Sequence, residues 1–158
     1  MQQGANYGWP YTYWDHTTGQ RVVAPEYGGD GETVAEAGDY QAPELVFPGH
    51  WAPNDLMFYT AEGAFPEAAS GSAFIAFHGS WNRAPLPQRG YNVVFVPFAD
   101  GAPAGDWSVF ADGFKGADEL ADSDDAEFRP MGLAQAPDGA LYIADSVQGR
   151  IWRVTWEG

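Results

Sequence analysis

A three-strand pattern occurs twice after residue 50 of this 158-residue chain, and it limits the possible folds more than any other feature. Each copy has an opening strand, a small-residue turn with a second strand, and a third strand that follows a glycine. The loops differ in length while the strands match, as expected of true repeats, because loops tolerate insertion. Repeated antiparallel units are typical of the blades of a β-propeller. The opening, second and third strands are expected at 52–58, 71–76 and 90–96 in the first copy and at 129–135, 139–144 and 149–154 in the second.

The sequence therefore predicts an all-β fold, a partial β-propeller of about two to two-and-a-half antiparallel blades. This is fewer than the four to eight blades that close a ring, and an open propeller sector has bare strand edges that favour pairing with another copy. A homo-oligomer that completes the ring is one expectation. Within a single domain, 1–158, we assign 1–50 to the end of one blade and a loop, 51–110 to a blade with a fourth strand near 107–110, 111–128 to an acidic connecting loop, and 129–158 to a last, three-stranded blade.

The charge balance narrows the classes of partner. The chain has 22 acidic and 7 basic residues, a net charge of −15, and no cysteine. Such a charge repels nucleic-acid phosphates and anionic lipid, so neither nucleic acid nor a membrane surface is an expected partner, whereas neutral sugars and cations remain compatible. Without cysteine, disulfides and thiolate catalysis are excluded. No apolar run reaches the roughly 20 residues of a membrane span.

Five short motifs lie in order along the chain: GANYGWP at 4–10, HWAP at 50–53, HGSWNR at 78–83, RP at 129–130 and PDGALY at 137–142. Together they resemble the sugar dehydrogenases that depend on pyrroloquinoline quinone (PQQ), the aldose and L-sorbosone group also described as glucose/sorbosone dehydrogenases. That family has a six-bladed propeller longer than this chain. The resemblance therefore assigns the chain to the C-terminal portion of the propeller. The expected partner is then either another copy of the chain or the missing N-terminal half of the propeller.

The resemblance implies an oxidoreductase that oxidises a sugar hydroxyl or aldehyde by hydride transfer to PQQ. It implies that Arg129 contacts PQQ, and it suggests His78 and Arg83 as further cofactor contacts. A calcium ion polarises the quinone and a histidine acts as the base in the family. Their residues are expected upstream of the Asn-Tyr-Gly-Trp-Pro motif, so the sequence names no catalytic residue and no metal ligand. A periplasmic or secreted location is also implied.

Several alternatives stay open. Arg129 could instead pair with a nearby acid, and His78 could be a hydrogen-bonded histidine at the corner of a blade. The acidic run at 118–127 could be a calcium loop, but it lacks the order of an EF-hand, and a solvated loop explains it better. Because the base and the calcium site are not expected here, activity of the chain alone is an open question. The competing hypothesis is a non-catalytic β-domain that binds a carbohydrate-like ligand or self-assembles.

Overall fold

The computed structural model describes residues 3–62 and 64–157. In these ranges the chain forms eleven β-strands and three short 3-10 helices, with no α-helix. The all-β prediction is confirmed, and every strand pair is antiparallel. The chain divides into two compact units, Met1–Pro48 and Gly49–Gly158. The assignment of 1–158 to a single domain and its division into blades stay predictions.

The first unit is built on one hairpin. Strand β1 (Thr12–Asp15) pairs with β2 (Gln20–Val23), and the Asp15 carboxylate closes the turn by accepting from the Thr17 amide at 2.8 Å. Arg21 organises the surrounding loops: its Nη2 donates to the Gln41 carbonyl at 3.0 Å, and its guanidinium carbon lies 4.8 Å from the centre of the Tyr40 ring. These contacts attach the loop at residues 40–41 to the hairpin.

The second unit begins with a four-stranded sheet in the order β3-β4-β5-β8. Its two central strands read AFIAF and NVVFV and are buried at nearly every position, as expected of short continuous apolar runs bounded by turns. A two-stranded ribbon, β6 with β7, interrupts the path from β5 to β8. The fourth strand expected near 107–110 is thus present. The strands are β3 (Pro53–Phe58), β4 (Ala73–Phe77), β5 (Asn92–Val96), β6 (Phe98–Ala99), β7 (Ala102–Pro103) and β8 (Ser108–Ala111).

A three-stranded sheet in the order β11-β10-β9 completes the second unit. Its central strand alternates: Leu141, Ile143 and Asp145 are buried, and the residues between them are half-buried. The expected turn at 137–139 joins the first two strands, with Gly139 at a φ of +82°. The three strands predicted for the second copy of the repeat are therefore present in one sheet, and its assignment as a propeller blade stays a prediction. Its strands are β9 (Pro130–Gln135), β10 (Leu141–Asp145) and β11 (Ile151–Val154).

The two sheets pack face to face, with β9 against β3 and β4. Their shared core is aromatic, centred on Phe74, which is 1 % exposed and lies 4.8 Å from Phe110, centroid to centroid. The Tyr59 hydroxyl donates to the Gly139 carbonyl at 2.7 Å. A Cβ at Gly139 would lie 2.2 Å from the Ala64 Cβ, so only glycine fits this contact. The sheets are thus held by apolar packing and by a buried hydrogen bond.

We expect Tyr59→Phe to lower the free energy of unfolding by about 1–2 kcal/mol, because the ring still packs while the buried Gly139 carbonyl loses its donor. Urea denaturation measures the change. Tyr11→Phe is the matched control, since Tyr11 is 61 % exposed and should change stability by less than about 0.5 kcal/mol. Equal unfolding midpoints for Tyr59→Phe and the parent chain would show that the hydroxyl does not hold the sheets.

Candidate functional site

One end of the two packed sheets brings together two polar residues singled out from the sequence, His78 and Arg129, with a third, Asp145. In an antiparallel sheet, the start of the first strand and the loop between the second and third strands lie at the same end. His78 directly follows β4, Arg129 directly precedes β9, and Asp145 ends β10. Because β9 packs against β3 and β4, these three residues come together although 51 positions separate His78 from Arg129.

Arg129 is fixed by three backbone carbonyls of the loop after β4. Its Nε donates to the carbonyl of His78 at 3.2 Å, and its Nη2 donates to those of Gly79 and Ser80 at 3.0 and 3.1 Å. The guanidinium carbon also lies 5.4 Å from the centre of the Tyr91 ring, a cation–π distance. The guanidinium is thereby held in one orientation, and the three carbonyls each receive a hydrogen bond from it. The alternative that Arg129 only pairs with an acid does not describe these contacts.

The Asp145 carboxylate holds the backbone that carries Arg129. It accepts from the amides of Arg129 and Val147 at 2.7 and 3.1 Å through Oδ1, and from the Gln148 amide at 2.6 Å through Oδ2. Burial alone would raise the pKa of Asp145, but these N–H groups stabilise the anion and hold the pKa below its usual value of 3.8. Sequence reasoning missed this residue. The available signal was an aspartate at the end of the strand in the second repeat.

His78 contacts the same cluster from the other sheet. Its Nε2 lies 2.8 Å from the Ser146 hydroxyl. Burial, and next the positive charge of Arg129, lower the pKa of His78 below 6.5, while the negative charge of Asp145 opposes them. Burial and Arg129 thus favour the neutral imidazole, in which one ring nitrogen donates and the other accepts, and Nε2 is bonded to the Ser146 hydroxyl.

The lowered pKa of His78 predicts a pH-dependent stability. The unfolded chain takes up the proton at higher pH than the folded chain, so folding is penalised as pH falls below 6.5 and the penalty is absent above it. We expect His78→Gln to lose less stability than the parent chain between about pH 7.5 and pH 5 in urea denaturation. The His16→Gln variant is the control, since His16 lies on the surface of the other unit. Parallel pH profiles for His78→Gln and the parent would contradict the shift.

Arg83 is positioned differently. Its Nε donates to the Pro87 carbonyl at 2.9 Å, and its Nη1 lies 3.4 Å from the Gly49 carbonyl. These bonds close the loop that connects β4 with β5. The structure thus brings His78 and Arg129 together and places Arg83 in a separate set of hydrogen bonds, so a cofactor role for all three residues stays a prediction.

The loop after β4 is stiffened from within. Ser80 is fully buried, its hydroxyl donates to the Gln88 side chain at 2.8 Å, and it accepts from the Arg89 amide at 2.8 Å. Gly79 has a φ of +92°, and a Cβ there would lie 2.3 Å from the Tyr91 ring. The carbonyls that face Arg129 are therefore held in place by buried contacts on the opposite side of the loop.

Metal ligands do not cluster in the described part of the chain. Residues 3–62 and 64–157 contain no group of three or more His, Cys, Asp or Glu side chains placed to hold a metal ion. In the acidic run, the Asp122 carboxylate accepts from the Asp124 amide at 3.0 Å and caps a 3-10 helix, Ser123–Asp125. The described residues therefore offer no cluster of acidic side chains that would hold calcium. No helix in the same ranges is long and apolar enough to cross a membrane.

Comparison with known proteins identifies the family. A family model described as TrAA12-like matches residues 1–157. The chain belongs to the TrAA12-like family. The resemblance inferred from the five motifs is confirmed, because similar curated proteins are named as PQQ-dependent pyranose and sugar dehydrogenases.

The similar proteins include two fungal enzymes. The PQQ-dependent pyranose dehydrogenase of Coprinopsis cinerea is 31 % identical over 170 residues, which cover 92 % of this chain and 22 % of that enzyme. The PQQ-dependent sugar dehydrogenase of Hypocrea jecorina is 28 % identical over 164 residues, covering 95 % and 34 %. A calcium structure of the Trichoderma reesei carbohydrate-active enzyme of family AA12 matches with a TM-score of 0.65 and 26 % identity, covering 94 % of this chain and 38 % of that one. The chain therefore spans about a fifth to two fifths of the length of these relatives.

Proposed function

We propose that the chain forms the C-terminal part of a PQQ-dependent sugar dehydrogenase and binds the quinone through Arg129, with His78 beside it. The observation that carries the proposal is the orientation of Arg129, whose guanidinium is fixed by three carbonyls of the facing sheet. Membership of a family whose relatives are named as PQQ-dependent sugar dehydrogenases supports the choice of cofactor.

The donor capacity of Arg129 fits an anionic cofactor. A guanidinium has five N–H groups, and the three carbonyl contacts occupy three of them. Donors therefore remain for a ligand carboxylate, and PQQ carries three carboxylates. Arginine binds such groups more strongly than a neutral donor does, because the hydrogen bond is charge-assisted. Since the site is rigid, little ordering cost accompanies binding.

When bound, PQQ accepts a hydride from the sugar. The residues of this chain would orient it: Arg129 holds a carboxylate, and the neutral imidazole of His78, with the Ser146 hydroxyl at 2.8 Å, offers a hydrogen-bonding group without a second positive charge. Oxidation of a sugar hydroxyl or aldehyde also requires a base and, by family resemblance, calcium. We assign neither to a residue of this chain.

Two measurements test this proposal. Isothermal calorimetry of the chain with PQQ, with and without calcium, should show binding, and a dye-linked sugar oxidation assay should show activity once upstream propeller blades of a TrAA12-like relative are co-expressed. Titration of buffer without PQQ into the chain is one control. The Arg153→Ala variant, which changes an exposed residue on β11, is the other. Absence of both binding and oxidation would overturn the proposal.

The outer face of the last sheet supports a partner. Gly132, Ala134, Tyr142, Ala144 and Ile151 line a shallow apolar depression of about 400 Å³, and Ile151 is 66 % exposed. Apolar sheet faces of this kind are normally covered by another layer. We propose that a further propeller segment packs here, either a second copy of the chain or the N-terminal half of a longer propeller.

Light scattering distinguishes the two partners. Self-assembly predicts a mass that rises with chain concentration, and Ile151→Lys should reverse the rise because it places a charge on the face. A monomer at every concentration would contradict self-assembly and leave the N-terminal half as the partner. A non-catalytic, ligand-binding β-domain is the alternative function, and binding of a sugar without any binding of PQQ would favour it. The periplasmic or secreted location is proposed on family grounds, and cell fractionation tests it.

A further inference from the structure

Backbone strain in the second unit gathers around the loop after β4, residues 78–80. Outside the turn between β6 and β7, three described residues other than glycine have a positive φ: His50, Ala52 and Tyr91, at 67°, 55° and 59°. Ala52 and Tyr91 directly precede β3 and β5, the two strands that flank β4 in the sheet. This conformation is costly for a bulky side chain such as that of Tyr91, because its Cβ approaches a carbonyl oxygen. Such residues persist only where their surroundings impose the conformation, and they gather at functional sites.

The loop after β4 is held between the two segments that carry the strain. On one side, the Ala52 carbonyl accepts from the His78 amide at 2.9 Å. Beside it, the Trp51 carbonyl accepts from the Gly79 amide at 3.0 Å. On the other side, a Cβ at Gly90 would lie 3.0 Å from the Gly79 Cα, so the segment before β5 approaches the loop as closely as glycine allows. The loop therefore presents its carbonyls in one arrangement.

Tyr91 connects this strained framework to Arg129. Its hydroxyl donates to the Ser80 carbonyl at 2.5 Å, and the Arg129 Nη2 donates to the same carbonyl at 3.1 Å. The Arg129 guanidinium carbon lies 5.4 Å from the centre of the Tyr91 ring. The ring also lies so close to Gly79 that a Cβ there would be 2.3 Å from it. Tyr91 thus acts on the guanidinium in two ways, through its ring and through a shared acceptor.

Burial decides how Tyr91 can influence a ligand. The residue is 1 % exposed, so a ligand bound at Arg129 does not reach it directly. Burial also raises the pKa of Tyr91 above its usual value of 10.0, while the positive charge of Arg129 opposes the rise. The phenol is therefore a neutral donor at pH 7 and adds no charge beside the guanidinium. An effect of Tyr91 on a ligand passes through the orientation of Arg129.

We propose that Tyr91 is a positioning residue that sets the orientation of the Arg129 guanidinium for its ligand. The ring lies against the guanidinium, and the hydroxyl holds the Ser80 carbonyl to which Nη2 is bonded. The strained φ of Tyr91 is retained because these contacts offset its cost. The inference rests on the proposed function for the identity of the ligand, whereas the orientation of Arg129 is measurable without PQQ.

Nuclear magnetic resonance of the ¹⁵N-labelled full chain measures the orientation without PQQ. The Arg129 Nε–H signal, identified by its absence in Arg129→Lys, reports on the bond to the His78 carbonyl. Its exchange with water should be about two- to tenfold faster in Tyr91→Phe, which loses one hydrogen bond. Exchange should be faster still in Tyr91→Leu, which also loses the ring. Tyr59→Phe is the matched control, because it removes an equally buried hydroxyl that donates to a backbone carbonyl away from Arg129, and it should leave the signal unchanged.

Calorimetry with PQQ measures the consequence for binding. Affinity should fall by about two- to tenfold in Tyr91→Phe and further in Tyr91→Leu, whereas Tyr59→Phe should bind as the parent chain does. Equal exchange of the Arg129 signal in the parent and both Tyr91 variants would overturn the inference. Losses in Tyr59→Phe as large as those in Tyr91→Phe would also overturn it, because they would indicate a general effect of stability. If the parent chain does not bind PQQ, the proposed function fails, and the exchange rates alone decide the role of Tyr91.

Discussion

Replacement of Asp145 by alanine is expected to lower the free energy of unfolding by about 3–5 kcal/mol. The side chain is 7 % exposed and accepts from three backbone amides. Without the carboxylate, those three N–H groups lose their acceptor in a place that water reaches poorly, and each loss carries a desolvation cost. Urea denaturation at neutral pH measures the effect.

Two further variants sharpen the result. Asp145→Asn retains one oxygen at nearly the same place and should cost less than alanine. Asp138→Ala removes an exposed carboxylate whose partner is Arg153, in an exposed ion pair, and should cost less than about 1 kcal/mol. Similar losses for Asp145→Ala and Asp138→Ala would refute the structural role of Asp145.

The same carboxylate has a pH signature. Its pKa is lowered by folding, so its contribution is complete above 3.8 and declines as pH falls through the folded value. Asp145→Asn should therefore flatten the acid limb of the stability profile relative to the parent chain. An unchanged acid limb would mean that the amide bonds do not stabilise the ionised form.

Replacement of Arg129 by alanine should weaken PQQ binding by about 10- to 150-fold, the range for a lost hydrogen bond to a charged group. Arg129→Lys should recover little of this loss, because one ammonium group cannot bond to three carbonyls and a carboxylate in the geometry of a guanidinium. Calorimetry with PQQ measures both affinities.

Arg153→Ala is the matched arginine control for this experiment, because Arg153 is exposed on β11 and pairs with Asp138 away from the site. It removes the same charge from the chain, so a general electrostatic effect would weaken PQQ binding equally in both variants. A larger loss for Arg129→Ala supports the assignment of the site to Arg129. Unchanged PQQ affinity in Arg129→Ala would remove the basis of the proposed cofactor site, provided that circular dichroism shows the variant is folded.

The strands were accessible from the sequence because their signals are local. Short apolar runs after glycine turns marked β4, β5, β10 and β11, and the space before residue 111 marked β8. The Pro-Asp-Gly turn fixed the connection between β9 and β10. Each of these features depends on neighbouring residues and on the two-residue period of a strand.

The site was only partly accessible, because it depends on how two sheets pack. His78 and Arg129 were chosen by resemblance, but their contact requires β9 to lie against β4, which no local pattern encodes. Asp145 looks like any acidic residue at the end of a strand. Its role appears only when the amides of Arg129, Val147 and Gln148 converge on it.

The three-carbonyl contact of Arg129 joins the ligand site to the seam between the sheets. Arg129 precedes β9, whereas the carbonyls that it bonds follow β4 on the other sheet. If Arg129 binds PQQ as proposed, the bound ligand would also stabilise the contact between the two sheets, so the chain should unfold at higher force with PQQ than without it.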